Sequence, residues 1–198
     1  MSDILPIVYI VRHGETEWSQ TGRHTGLIDL PLTQRGEREA RTVAAPLHEI
    51  TFAQVFTSPL QRTFRSCELA GFGANCIVDP DLVEWDYGEY EGKTTVEILE
   101  QRPGWRMFFD GCPAGESVEE VGIRADRILA RARAIDGNVL LFSSGHTLRV
   151  LAARWLELAP ETGRFLAQMG TSSLSALGYE ANRSRPTIQR WNDQCHLV

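Results

Sequence analysis

The 198-residue chain has the length of one domain, and its 42% apolar and 23% charged content excludes disordered and fibrous classes. A chain of this size buries roughly two-thirds of its unfolded surface without disulfide or metal staples. The net charge of -6 argues against a broad nucleic-acid or anionic-membrane surface, which needs a basic patch, but leaves room for a single anion site.

In chain order, "IVYIV" (7–11) is an unbroken β-branched and aromatic run, the pattern of a strand buried on both faces. "LTQRGEREARTVAAPL" (32–47) opens on a cap at Thr33 and reads as one helix. "QVFTS" (54–58) is a short strand, "PLQRTFRSCELA" (59–70) a helix with Pro59 in its first turn, and "NCIVD" (75–79) a third strand. A loop rich in acids, aromatics and glycines runs to Gly92. Residues 93–110 read as helix interrupted at Pro103, and 116–135 as a longer amphipathic helix. "NVLLFSS" (138–144) is the clearest strand, with a helix opening directly behind it at "GHTLRVLAARWLEL". "SSLSALGYE" and "PTIQRW" form a closing pair of strands. Alternating strands and helices predict a single three-layer α/β domain over 1–198, a mostly parallel sheet with helices on both faces.

Cys67, Cys76, Cys112 and Cys195 show no C-x-x-C or zinc-like spacing, so they read as free thiols of a reducing, cytoplasmic compartment. With Asp3 and Pro6 ahead of a brief apolar run, no signal peptide is expected, and no segment approaches the roughly 20 apolar residues of a membrane span. The acceptor pattern Asn182-Arg183-Ser184 is then idle. His48 and His196 read as surface or structural residues, and Trp105, Trp155 and Trp191 as packing.

In open α/β sheets ligands bind beyond the carboxyl ends of strands, where helix N-termini point N–H groups at anions. Arg12 and His13 end the first strand, Arg62 lies on the helix after the second, and Ser144-Gly145-His146 ends the "VLLF" strand. Three strand ends thus deliver two arginines and two histidines to one edge. Guanidiniums supply donors for an anion with three equatorial oxygens, and an imidazole can attack in line, so a phosphoryl group fits the inventory. Arg12 beside His13 disfavours the protonated ring and keeps a ring nitrogen free. Taken singly, Arg12 reads equally as a strand-end ion-pair residue, Arg62 as an exposed helix arginine, and Glu84 as one of four acids, with Asp86, Glu89 and Glu91, on a solvated loop. With Lys93 the only lysine, nearly every cation is an arginine, a bias that genome composition also produces.

"RHGETEW" (12–18), "TSPLQRTFRS" (57–66), "VEWDYGEYEG" (83–92) and "SSGHTLRV" (143–150) resemble, in order, the four motifs of the histidine phosphatase superfamily, phosphoglycerate mutase-like branch. The resemblance implies that His13 is a nucleophile that becomes phosphohistidine, and that Arg12, Arg62 and His146 bind the phosphoryl oxygens. It selects Glu84 as proton donor to the leaving oxygen, and Thr25 and Gly26 as a loop touching the substrate. No metal and no cofactor are implied. Ser19 stands where many relatives have asparagine, and His24 where other side chains occur.

The chain is short between the acid motif and the last histidine, which makes it more similar to sugar-phosphate and sedoheptulose bisphosphatase-like phosphatases than to mutases. The implied activity is a metal-independent phosphomonoesterase acting on a small phosphorylated metabolite, a sugar phosphate or bisphosphate. A mutase, a non-catalytic phosphate-binding module and a metal-dependent hydrolase are the rivals. The expected partner is that metabolite, with no nucleic acid and no membrane; monomer and homodimer both stay open. Residues 93–116, with Arg102, Arg106, Phe108 and Phe109, are expected to form a lid or wall, in which Arg102 or Arg106 would hold a second phosphate.

Overall fold

The computed structural model describes residues 5–197; Asp3, part of the N-terminal reading, lies outside them. Six strands form one sheet: β1 (Val8–Arg12), β2 (Phe52–Thr57), β3 (Cys76–Val78), β4 (Asn138–Ser143), β5 (Leu174–Tyr179) and β6 (Pro186–Asp193). Their order is β3-β2-β4-β1-β5-β6. The first four run parallel, and the closing pair is antiparallel, β5 against β1 and β6 against β5.

The helices are α1 (Glu17–Gln20), α2 (Gln34–Thr42), α3 (Ala44–Leu47), α4 (Gln61–Leu69), α5 (Thr95–Gln101), α6 (Met107–Asp110), α7 (Val118–Ala134) and α8 (Gly145–Trp155). The single helix expected over 32–47 is two, broken at Val43, because Pro46 has no N–H to offer the Thr42 carbonyl. Around Pro103 the chain divides as expected, into α5 and α6.

The unbroken apolar runs of β1 and β4 have a simple cause. Successive side chains of a strand point to opposite faces, and here both faces are covered. Val8, Ile10, Val139 and Leu141 join the core packed on α7 and α8, whereas Val11, Leu140 and Phe142 join a second core with Val43, Leu47 and Cys67 of the α2–α4 side. Trp105 and Trp155 are buried in the first core with their indole N–H groups on the carbonyls of Gly111 and Gly178, and Trp191 packs at its margin. All four cysteines are free thiols. Among the described residues no helix is long and apolar enough to cross a membrane.

Sheet register positions the site. β1 lies beside β4 with Arg12 opposite Ser143, and the His13 N–H continues the ladder onto the Ser143 carbonyl at 3.0 Å. His13 and the start of α8 therefore leave adjacent strands at one level.

Candidate active site

The turn after β1 is held in a space too tight for side chains. A Cβ on Gly14 would lie 2.5 Å from the Gly36 carbonyl oxygen, and one on Gly36 would collide with the Glu15 carbonyl. These two glycines let the turn carrying His13 rest directly on the first turn of α2. The Gly14 N–H also donates to Ser66 Oγ at 2.9 Å, tying the turn to α4. Gly36→Ala is expected to destabilise the fold by about 1–3 kcal/mol, the cost of overpacking, and to lower kcat by displacing His13. Urea unfolding with coincident midpoints for variant and wild type would contradict that close approach.

His13 is 3% exposed. Its Nδ1 lies 2.7 Å from the Gly14 carbonyl oxygen. A carbonyl only accepts, so the neutral ring carries its proton on Nδ1 and keeps the lone pair on Nε2. Burial, then the charges of Arg62 and Arg12, push the ring well below the usual imidazole value, so it is neutral at physiological pH. The sequence-based expectation about Arg12 points the same way, with burial as the larger cause.

Arg62 is 0% exposed. It grips the carbonyls of Ile28 (2.9 Å), Thr25 (3.1 Å) and Gly26 (2.7 Å), and its buried Nε has no partner. Arg12 donates to the Met169 carbonyl, also with an unpartnered buried Nε, and packs against Gly145, where a Cβ would sit 3.4 Å from that nitrogen. Neither arginine has a carboxylate within ion-pair distance among the described residues. Carbonyls fix their geometry without cancelling their charge, and buried cations left so are expected to meet an anion.

Glu84, 4% exposed, lies at the N-terminus of α8. Ser144, the capping residue, gives no side-chain bond, and the Glu84 carboxylate takes over. It accepts from the N–H groups of His146 (3.1 Å) and Thr147 (2.9 Å), from Thr147 Oγ1 (3.0 Å) and from its neighbour Trp85 N–H (2.9 Å). Burial alone would raise its pKa. The neighbouring His146 ring and the N–H donors of Trp85, Thr147 and His146 together outweigh it and hold the carboxyl below its ordinary value.

A bracket from α7 fixes the chain around it. Arg124 pairs with both oxygens of Glu116 (2.7 and 2.8 Å) and donates to the carbonyls of Asp81 and Val83. Glu116 in turn accepts the Asp86 N–H, and its carbonyl accepts the Trp85 indole. Arg131 holds Asp79 at 2.6 Å. Of the four acids on this loop, Glu84 alone lines the cavity: Asp86 closes a turn onto the Gly88 N–H, Glu91 takes the Gly26 N–H, and Glu89 is exposed.

His146 meets Tyr87 Oη through Nδ1 at 2.7 Å. Burial, reinforced by Glu84, raises the Tyr87 phenol well above its usual value, so it stays protonated. When the phenol donates to Nδ1, the proton of the neutral His146 ring sits on Nε2, available to an oxygen in the cavity. Burial keeps this ring neutral too, with Arg149 and Arg12 adding to the effect against Glu84. His24 completes an aromatic wall, its ring centroid 4.8 Å from Tyr87 and 5.9 Å from His146.

A cavity of about 170 Å³, sized for a small metabolite, is lined by Arg12, His13, Glu84 and His146 together with Thr25. Gly26 and Arg62 stand behind that wall: the Gly26 N–H goes to Glu91 Oε1 at 2.7 Å, and Arg62 buttresses the 25–28 loop. Ser19 lines the cavity with its hydroxyl engaged in capping α1 through Thr16. The 93–116 segment contributes Thr95 to the lining and Phe108 behind His146, but Arg102 and Arg106 do not reach the cavity and lie against Asp110. His48 is exposed, while His196 bonds the Ser172 carbonyl, whose residue's N–H in turn holds the His13 carbonyl.

Sequence reasoning missed Arg149 and Gln168 in the lining and the Tyr87 bond to His146. For Arg149 there was a signal, its i+3 spacing from His146 on one helix face. Among the described residues no group of three or more His, Cys, Asp or Glu side chains is arranged to hold a metal ion.

A sheet edge of an α/β fold that gathers two histidines, buried arginines and one carboxylate around a small cavity is chemically suited to bind an anion such as a phosphoryl group. The sequence matches the family model of the histidine phosphatase superfamily (branch 1) over residues 8–194, and the chain belongs to that family as a phosphatase. It is 41% identical over 175 residues to an acid phosphatase of Mycobacterium tuberculosis, spanning 86% of this chain and 85% of the relative. Sedoheptulose 1,7-bisphosphatase of Saccharomyces cerevisiae is 35% identical over 190 residues, 80% of this chain and 70% of the relative. Among solved structures, the product of a Mycobacterium tuberculosis open reading frame superposes with a TM-score of 0.87 at 37% identity, covering 94% of this chain and 97% of that one. The resemblance read from four sequence motifs holds.

Proposed function

We propose that this phosphatase hydrolyses small phosphorylated metabolites, sugar phosphates or bisphosphates among them, through a phosphohistidine on His13 and without a metal. The observation that carries the reading is a neutral His13, lone pair on Nε2, flanked by guanidiniums that carbonyls hold and that, among the described residues, no carboxylate meets within ion-pair distance.

In the first step the Nε2 lone pair attacks phosphorus. The N–P bond forms as the bond to the leaving oxygen breaks, and the departing electron pair is met by a proton from Glu84. The imidazole becomes cationic at that moment, and its Nδ1–H already faces the Gly14 carbonyl. Water then attacks the phosphorus, gives its proton to Glu84, and the N–P pair returns to Nε2, releasing phosphate. Arg12 and the Nε2–H of His146, which line the cavity, meet the equatorial oxygens, and Arg62 adds its positive charge from behind the wall. A phosphoryl dianion beside the Glu84 carboxylate raises its proton affinity, which converts the carboxylate of the empty site into the acid this step needs. The free thiols fit a cytoplasmic setting.

The test is a panel of phosphorylated metabolites assayed with excess EDTA, reading inorganic phosphate chemically and isomerised ester by phosphorus NMR. Phosphate without isomer, undiminished by chelation, is the expected outcome. Isomer without phosphate would make the chain a mutase, loss of activity on chelation a metal-dependent hydrolase, and binding without turnover a phosphate-binding module.

A further inference from the structure

Arg149 is unlike the other arginine recruited to the cavity wall from outside the sequence motifs' assigned roles. Arg23 is balanced, 3.0 Å from Glu97 and bonded to the Gly92 carbonyl. Arg149 has no carboxylate within ion-pair distance among the described residues. Its Nε and Nη2 donate to the carbonyls of Gly163 (3.2 Å) and Arg164 (3.0 Å), and its plane lies over Phe108, 4.7 Å from the ring centroid. No protein acceptor among the described residues takes Nη1. The side chain is therefore pinned along one edge and one face, half-buried, with donors left toward the cavity it lines.

Its place relative to the reacting centre is also defined. The cations that bear on His13 are Arg62 and Arg12; Arg149, together with Arg12, bears on His146, one turn earlier on α8, whose ring lies tilted against the same Phe108 with centroids 5.8 Å apart. Beside the nucleophile Arg12 lines the cavity and Arg62 adds its charge from behind the wall, which serves a phosphoryl dianion there, and Glu84 is the one carboxylate in the lining. A third fixed guanidinium on the His146 side is left over. We propose that Arg149 is a specificity-determining residue that receives a second anionic group, carboxylate or phosphate, on the leaving side of the substrate. This rests on the phosphatase mechanism above and replaces Arg102 and Arg106 as the expected second-anion contacts.

Two substrate pairs test it. 3-Phosphoglycerate and glycerol 3-phosphate differ by a carboxylate against a hydroxymethyl group; fructose 1,6-bisphosphate and fructose 6-phosphate differ by a phosphate. In the wild type, kcat/KM favours the doubly anionic member of at least one pair. In Arg149→Met that preference ratio falls about 10- to 100-fold, the worth of a charge-assisted hydrogen bond, with Arg149→Lys in between. The pair whose ratio falls names the anion. Wild-type ratios at or below one in both pairs overturn the proposal without any variant, so a Met variant that fails to fold does not shelter it. Ratios unchanged in the variants, or equal losses on both members of each pair, assign Arg149 to holding the 163–164 turn and overturn it as well. If no ester releases phosphate, the mechanism fails instead; the same pairs are then compared by calorimetric binding, where Kd ratios that Arg149→Met leaves unchanged overturn the Arg149 assignment.

Discussion

Replacing His13 by alanine is expected to lower kcat by about 10⁴-fold or more on every phosphomonoester the wild type hydrolyses, because it removes the atom that accepts the phosphoryl group. The second imidazole cannot substitute: His146 Nδ1 is occupied by Tyr87, and its Nε2 then carries a proton rather than a lone pair. The loss should fall on kcat far more than on substrate affinity, since Arg12 keeps its anchor on the Met169 carbonyl and Arg62 its anchors on the 25–28 loop. The direct measurement is rapid quenching of wild type with phosphorus-labelled substrate. Label stable in alkali and labile in acid marks a phosphoramidate, and its absence from the alanine variant assigns it to position 13. A variant that still turns over at a tenth of the wild-type rate would move the nucleophile elsewhere and leave Arg12 and Arg62 as a binding pocket alone.

The readable part of this protein is the part that local pattern determines. β1 and β4 announce themselves because both of their faces are buried, and α8 because a glycine and a histidine follow a strand without an intervening loop. What could not be read depends on contacts between distant segments. Arg62 looks like an exposed helix arginine until the carbonyls of Thr25, Gly26 and Ile28 close over it from more than thirty residues away. By residue type and local pattern Glu84 is indistinguishable from Asp86, Glu89 and Glu91, and only the motif resemblance selects it. It is separated from them by the α8 N-terminus, some sixty residues further on, and by the Arg124–Glu116 bracket that fixes the backbone on either side. Nothing local reveals either that Arg102 and Arg106, expected to hold a second phosphate, lie against Asp110 and outside the cavity lining.

Glu84→Gln is the other substitution with a large expected effect, and its signature depends on the leaving group. For an alkyl ester, whose alkoxide must be protonated as it departs, kcat should fall by about 10²- to 10⁴-fold, the usual contribution of a positioned acid. For 4-nitrophenyl phosphate the leaving oxygen needs no proton, so the first step survives and the second, in which Glu84 accepts a proton from water, becomes limiting. One equivalent of nitrophenolate should then appear in a burst. The pH profile carries the sign of the same argument. In the empty site the N–H donors hold Glu84 below the ordinary carboxyl range, so it is ionised at neutral pH, and the proton needed for departure must enter with the substrate. Wild-type kcat/KM on alkyl esters should therefore fall about tenfold per pH unit above the second ionisation of a phosphomonoester, near pH 6. On the acid side the depressed His13 remains unprotonated below the usual imidazole value, which extends activity downward and puts the optimum on the acidic side of neutrality. Glu84→Gln should flatten the descending limb; an alkyl-ester rate and limb both unchanged by the substitution would transfer the acid role to another carboxyl or to the substrate's own phosphate.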